Sequence, residues 1–459
     1  MTARAPSTFA PTPDMPASPA SRPNLIFILA DDLGYADLGC TGAVDATGAP
    51  ANISPTIDAL ARNGVRFTRA YSNSAVCSPT RFALMTGRWQ YRLRAGAEEP
   101  LPTMQADKIL GLAPSHPTLP SLARNAGYRT ALVGKWHLGP PPAFGPTLSG
   151  YDYFFGFHAG GSDYFAHCDP RGRPDLWEND QPVVADGYMT DLLTSKACEF
   201  IDAQAAGQPF LLSLHYSAPH WPWLTRSDAA ESRRINGIGK HLDGGSIAVY
   251  QEMIRVMDEG IGRIVASLKA LGRLDNTLIV FTSDNGGERF SNNWPFIGQK
   301  MDLLEGGIRV PLVAHWPRGL PQGEVCDYPN MTMDWTATFL ECAGASPDRD
   351  YPLDGLSLLG LLQSKSPAVE RDLYWRMTHR AQQAVIRGNW KYLHVDGIDY
   401  LFDLSADPRE RANLKQRYPA MLDDLKAAWT RWDATLPPIS PDARAYLVFD
   451  KSQLPQPTF

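Results

Sequence analysis

The chain has 459 residues with 43 Lys and Arg against 49 Asp and Glu, a formal net charge of −6. That balance excludes a strongly basic nucleic-acid binder, and 44% hydrophobic with 20% charged residues excludes gross disorder and permits a large buried core. The six cysteines, Cys40, Cys77, Cys168, Cys198, Cys326 and Cys342, are too few for a disulfide scaffold and too widely spaced for a zinc knuckle or a redox pair.

Residues 1–22 interleave Pro6, Pro11, Pro13, Pro16 and Pro19 with Ala, Ser and Thr, which predicts a flexible tail. This stretch lacks a charged start followed by an apolar run, and no later stretch approaches the roughly 18 apolar residues of a membrane span. The expectation is a soluble, cytoplasmic protein with no membrane or nucleic-acid partner.

The first predicted strand, Asn24 to Ala30 (NLIFILA), is apolar throughout, as a strand covered on both faces must be, and runs directly into Asp31 and Asp32. Next comes CSPTRFALMTGR. Pro79 suits a first helical turn and Gly87 a helix end, which puts Cys77 at the helix N-terminus, where free N–H groups and the dipole favour anions. Arg81, four residues on, shares its face. A reactive or simply buried cysteine is the plainer reading of this string alone. A helix over Pro120 to Ala126 precedes the strand Thr130 to Gly134, which leads to Lys135 and His137. In an extended segment these two side chains leave one face, a cation beside a proton-transfer group.

The run Pro209 to Tyr216 leads to His220 in APHWPW, and a long helix covers Ile247 to Leu271. The strand Thr277 to Ser283 then runs into Asp284, Asn285, Gly286 and Gly287, and Lys300 follows in GQKMDLLEGGIRVP. Four apolar strands thus end in polar residues, and in α/β sheets such ends converge on a ligand site. Asp31, Asp32, Asp284 and Asn285 offer oxygen donors only, a set that suits Ca²⁺ or Mg²⁺ better than zinc or copper. Towards the C-terminus, alternating Val385, Trp390, Tyr392, Leu393 and Val395, broken by Gly-Asn and Asp-Gly turns, predicts a short antiparallel sheet, with a helix over Tyr418 to Trp432.

Taken together, DDLGYADLGC, CSPTRFALMTGR, GYRTALVGKWHLG, SAPHWP, TSDNGG and KMDLLEGGIRVP, in this order, resemble the formylglycine-dependent sulfatases of the alkaline phosphatase superfamily. AVIRGNWKYL and LFDLSADPRERANL resemble that family's C-terminal subdomain, so the likeness covers roughly residues 22 to 420. It implies an α/β fold with a large mixed sheet flanked by helices, and a smaller α+β subdomain. The corresponding division is a tail over 1–22, a catalytic domain over 23–365 and a C-terminal unit over 366–459.

Residue by residue, the resemblance implies that Asp31, Asp32, Asp284, Asn285 and the modified Cys77 hold one divalent cation, Ca²⁺ before Mg²⁺. Cys77 would be converted to formylglycine (3-oxoalanine) by a maturation enzyme before folding finishes. Arg81 and Lys135 would hold that group, Lys135 would also bind sulfate, and His137 would contact its hydroxyl. His220 and Lys300 would face the leaving group, and Ser162 would contact substrate. One hydroxyl of the hydrated aldehyde attacks sulfur, and His220 or Lys300 protonates the departing oxygen. The second hydroxyl then loses its proton to His137, and carbon–oxygen cleavage expels sulfate. A serine, lacking that second hydroxyl, would remain trapped as its ester.

The expected substrate is a small sulfate ester, aryl or carbohydrate. Trp221, Trp223, Trp294 and Phe296 are candidate rings for its entrance. Two other readings stand beside this one: hydrolysis of phosphonate monoesters or phosphodiesters by the same modified cysteine, and a catalytically dead binding module.

Overall fold

The computed structural model describes residues 22–45, 47–102, 109–236 and 241–447. The expected N-terminal tail, up to residue 21, lies outside the described residues, as do residues 448–459. The strands, in chain order, are β1 (Asn24–Ala30), β2 (Val65–Phe67), β3 (Ala70–Tyr71), β4 (Arg129–Lys135), β5 (Tyr153–Phe157), β6 (Trp177–Glu178), β7 (Gln181–Pro182) and β8 (Phe210–His215). They continue with β9 (Thr277–Ser283), β10 (Leu312–His315), β11 (Glu324–Cys326), β12 (Asn330–Met331), β13 (Leu373–Met377), β14 (Gln382–Arg387), β15 (Trp390–Val395) and β16 (Ile398–Asp403).

Ten of these form one mixed sheet in the order β11-β2-β10-β9-β1-β8-β4-β5-β6-β7. Its centre, β9-β1-β8-β4-β5, is parallel. Every residue of β1 is buried, and its side chains alternate between two cores. Ile26, Ile28 and Ala30 meet one core, with Ile57, Leu193, Met253 and Ile261 of the helices Pro55–Arg62, Met189–Asp202 and Ile247–Ala270. Leu25, Phe27 and Leu29 meet the other, with Leu84, Leu119 and Phe339 of the helices Cys77–Thr86, Leu119–Asn125 and Thr332–Ala343. Each fully buried Leu, Ile or Phe contributes about 1.5–3 kcal/mol, so the centre of the sheet is the rigid part of the molecule.

Parallel pairing brings the carboxyl ends level. Ala30 pairs with Ser283, while Leu29 and Gly134 both pair with His215. Residues far apart in sequence therefore leave the sheet at one edge.

The strands β13 to β16 form a separate antiparallel sheet. Asp396 and Gly397, at φ 52° and 80°, make a two-residue turn with both residues left-handed. The helix Pro419–Asp433 packs Leu425 against Val385, Tyr392 and Leu401. On the side facing the large sheet, Trp375 Nε1 donates to the Ser72 carbonyl at 2.9 Å. Buried Lys391 lies 3.0 Å from Glu305 and 2.8 Å from Glu410.

One local expectation fails. Lys135 is the last residue of β4, but His137 has φ 55°, so the segment between them is not extended and strand alternation does not set their common direction.

Candidate active site

The ends of β1 and β9 carry Asp31, Asp32, Asp284 and Asn285, all at most 2% exposed. The Asp284 N–H donates to the Ala30 carbonyl at 3.1 Å, which locks the two strand ends together. Asp32 adopts φ 64°, a left-handed conformation that Asp tolerates and that marks a functional turn. Gly286 has no alternative, because a Cβ there would lie 1.9 Å from the Gly306 carbonyl oxygen.

Cys77 opens the helix Cys77–Thr86, as expected, with Gly87 closing it at φ 65°. Val76 supplies no side-chain cap, so the N–H groups of the first turn are left for other partners. Ligand atoms of Cys77, Asp31 and Asp284 lie within 4.8 Å of one another, as do those of Asp31, Asp32 and His220. Burial pushes the Cys77 thiol up, which argues against an unmodified thiolate nucleophile.

Cations surround these carboxylates. Arg81 Nε and Nη2 donate to Asp284 Oδ2 at 3.1 and 2.8 Å, Lys135 Nζ to Asp31 at 2.6 Å and Lys300 Nζ to Asp32 at 2.7 Å. Burial opposes ionisation of Asp32, yet Lys300, His220 and Lys135 outweigh it and hold the carboxyl down to about 2. Asp284 goes the other way, pushed up to about 7 by burial and the neighbouring Asp31. Burial disfavours the Lys300 ammonium, but Asp32 more than compensates and keeps the charge in place.

The two histidines carry their protons on different atoms. His137 Nε2 donates to the Leu101 carbonyl at 2.9 Å, so Nδ1 holds a lone pair, and that atom is buried without a partner. Burial and Lys135 keep the ring neutral, well below the usual histidine range. His220 Nδ1 donates to the Trp221 carbonyl at 2.6 Å, leaving Nε2 facing Asp32 at 3.5 Å. Burial, then Lys300, pushes His220 down to about 3.

Cys77, His137, His220 and Lys300 line one cavity of about 420 Å³. Trp221 of the predicted aromatic entrance lines it too. Trp223 is instead buried, edge-on to Phe290, and Phe296 packs against Tyr35. Ser162 is not brought to the cavity wall: its loop contributes Gly160 and Gly161, while its hydroxyl donates to the Asp163 carbonyl at 3.3 Å.

Sequence reading passed over three groups. Glu288, next to the DNGG turn, is pushed up to about 7 by burial despite Lys300, and its Oε2 has no hydrogen-bond partner among the described residues. His215 lies 3.4 Å from Arg81 Nη1. Tyr446 and Leu447 reach the cavity from the far end of the chain. The acidic residue following DNGG was a usable signal, as was the Pro- and aromatic-rich composition of the last residues, which suits a return to the active-site mouth without fixing the path; His215 had none.

A parallel-centred sheet thus brings acids and cations to its carboxyl edge beside a helix N-terminus, the architecture of an alkaline phosphatase-like fold. The model of the sulfatase family matches residues 23–345, and that of the C-terminal domain of N-sulphoglucosamine sulphohydrolase matches residues 296–431. The chain therefore belongs to the sulfatase family, whose members are sulfuric ester hydrolases. It is 33% identical over 380 residues to the N-acetylgalactosamine-6-sulfatase of Mus musculus, covering 77% of this chain and 68% of that one. Arylsulfatase J of Mus musculus is 30% identical over 487 residues, with 93% and 78% covered. Among solved structures, Ps i-CgsB in complex with k-i-k-neocarrahexaose superposes with a TM-score of 0.80 at 32% identity, covering 91% of this chain and 94% of that one.

Proposed function

We propose that this enzyme cleaves a carbohydrate sulfate ester using formylglycine formed from Cys77, with one divalent cation held by Asp31, Asp32, Asp284 and Asn285. The observation that carries the reading is a pair of buried oxygens with no hydrogen-bond partner among the described residues: Asp31 Oδ1, in the cluster with Cys77 and Asp284 and 3.8 Å from Arg81 Nη2, and Asn285 Oδ1. Orphaned oxygens at full burial cost about 1–3 kcal/mol each, and a hard cation satisfies them. When bound, the cation offsets charge on sulfate and on the attacking hydroxyl.

The chain's own residues supply the rest. Arg81 and Lys135 hold positive charge against the acids and orient the modified side chain. Lys300 keeps its proton and stands on the leaving-group side, which favours it over neutral His220 as donor to the departing oxygen. His137, with its bare Nδ1, would accept the proton of a hydroxyl on the modified side chain and so assist the release of sulfate.

Cys77 is 2% exposed, so a maturation enzyme acts before the fold closes. The carbohydrate preference draws support from the names of the relatives and from the aromatic wall at Trp221. The decisive test is the mass of the tryptic peptide Ala70 to Arg81 from protein made with a formylglycine-generating enzyme. An aldehyde in place of the thiol is expected. An intact thiol, while a known sulfatase matured in the same cells is converted, rejects the proposal.

A further inference from the structure

We propose, building on the sulfatase reading above, that Arg171 recognises a second anionic group on the substrate, so that the sulfated ring carries another sulfate or a carboxylate. Three observations converge on it. First, among the described residues no acidic side chain lines the cavity at Cys77, and the charged ones that do are Lys300 and Arg171, in a chain whose net charge is −6. Lys300 is committed to Asp32 and the ester being cleaved, whereas the exposed guanidinium of Arg171 has no hydrogen-bond or ion-pair partner among the described residues.

Second, the loop that carries Arg171 is built to hold it there. The Asp169 carboxylate, 4% exposed, accepts the Arg171 and Arg173 N–H groups at 2.9 and 3.0 Å. Arg173 Nε donates to the same carboxylate at 2.8 Å, and Cys168 bridges to Pro174 across the base of the loop. Asp169 thus pairs with one arginine of the loop and leaves the other to the cavity.

Third, the cavity suits a ring. Its volume of about 420 Å³ lies at the small end of ligand pockets. Trp221 lines it, its ring tilted against that of His220 with centroids 4.3 Å apart, and Tyr446 on the same wall is fixed by backbone hydrogen bonds, its N–H donating to the Glu99 carbonyl at 2.7 Å and the Glu99 N–H to the Arg444 carbonyl at 3.0 Å. A ring seated there with its ester at Cys77 presents its remaining substituents to the wall, where an unpaired guanidinium selects an anion.

The test compares matured wild type, Arg171→Gln and Arg171→Lys on three substrates: a monosulfated hexose, the same hexose bearing a second sulfate, and the monosulfated uronic acid. The readout is the ratio of kcat/KM for each doubly charged substrate to that for the monosulfated hexose. Arg171→Gln is expected to lower this ratio at least about tenfold, mainly through KM, with less effect at high salt. Arg171→Lys should recover part of the loss. The substrate showing the drop tells sulfate from carboxylate. An unchanged ratio for both doubly charged substrates, with turnover intact, overturns the Arg171 assignment alone. No turnover of any of the three by wild type carrying the aldehyde overturns the carbohydrate sulfatase reading and the assignment with it.

Discussion

Replacing His137 by Ala should separate the two halves of the reaction. In the folded chain the Leu101 carbonyl fixes the ring proton on Nε2 at 2.9 Å, and Nδ1 is left buried and bare. Burial and Lys135 keep the ring neutral well below the usual range, so that lone pair is available throughout neutral pH. A positioned general base is worth about 10²–10⁴-fold, which is about 3–5 kcal/mol at the barrier. The stranded Leu101 carbonyl costs about 1–3 kcal/mol of stability and the cavity left by the buried ring adds to it, against a typical reserve of about 5–15 kcal/mol, so the variant folds with reduced stability. Rapid mixing with an aryl sulfate should then give a burst of about one phenol per active site, followed by turnover slowed about 10²–10⁴-fold. The intact protein should retain the mass of one SO₃ group, and added imidazole should release it into the space the ring occupied. If phenol and sulfate instead appear at the same reduced rate with no burst, His137 acts in the first step and the reasoning is refuted.

Across a series of leaving groups, Lys300→Ala should lose most on poor ones, and His220→Ala should show a shallower dependence, because the neutral His220 carries its proton on Nδ1 towards the Trp221 carbonyl; the opposite ranking makes His220 the acid. Chelation should abolish activity that Ca²⁺ or Mg²⁺ restores, and added Ca²⁺ at about 100 times its Kd should raise folding stability by about 2.7 kcal/mol; rescue by zinc alone contradicts the oxygen-donor set. In the buried cluster between the two sheets, Lys391→Met should destabilise by about 3–5 kcal/mol in denaturant titration, since it removes the cation shared by Glu305 and Glu410 and leaves Glu410 only the Glu305 N–H, while Glu305 keeps Arg309 and Tyr71; a loss below about 1 kcal/mol shows that those partners suffice. The same cluster gives a pH dependence. Glu410 is pushed up to about 7 from 4.5 by burial, despite Lys391, so its contribution is fully present below 4.5 and is lost as pH rises through about 7. Stability that rises from pH 5 to 8 at this junction would contradict that sign.

Much of the fold was legible in short stretches of sequence. Continuous apolar runs such as Asn24 to Ala30 and Thr277 to Ser283 have one stable home, a strand covered on both faces, and both are strands over those residues. Cys77 at a helix start, Gly87 at its end and the Asp-Gly hairpin turn follow from backbone preferences acting over a few neighbours. The acids at strand ends were readable for the same reason, because parallel strands deliver their carboxyl ends to one edge whatever the intervening chain does.

Proton positions and cavity walls were not legible, because they depend on atoms remote in sequence. The His137 tautomer is set by the Leu101 carbonyl, 36 residues away, and Lys135 meets Asp31 across 104 residues. His137 departs from strand geometry through a single positive φ, and Ser162 turns its hydroxyl to its own backbone while its glycine neighbours form the wall. Arg171 and Tyr446 reach one cavity only because Asp169 shapes one loop and Glu99 pins the returning chain. Residue types and local periodicity therefore determined the elements, and the ordered motifs that resemble one family determined the chemical class of the site. Where each proton resides, and which side chains face the substrate, was decided by tertiary packing, since hydrogen-bond direction and burial belong to the assembled structure and not to any one segment.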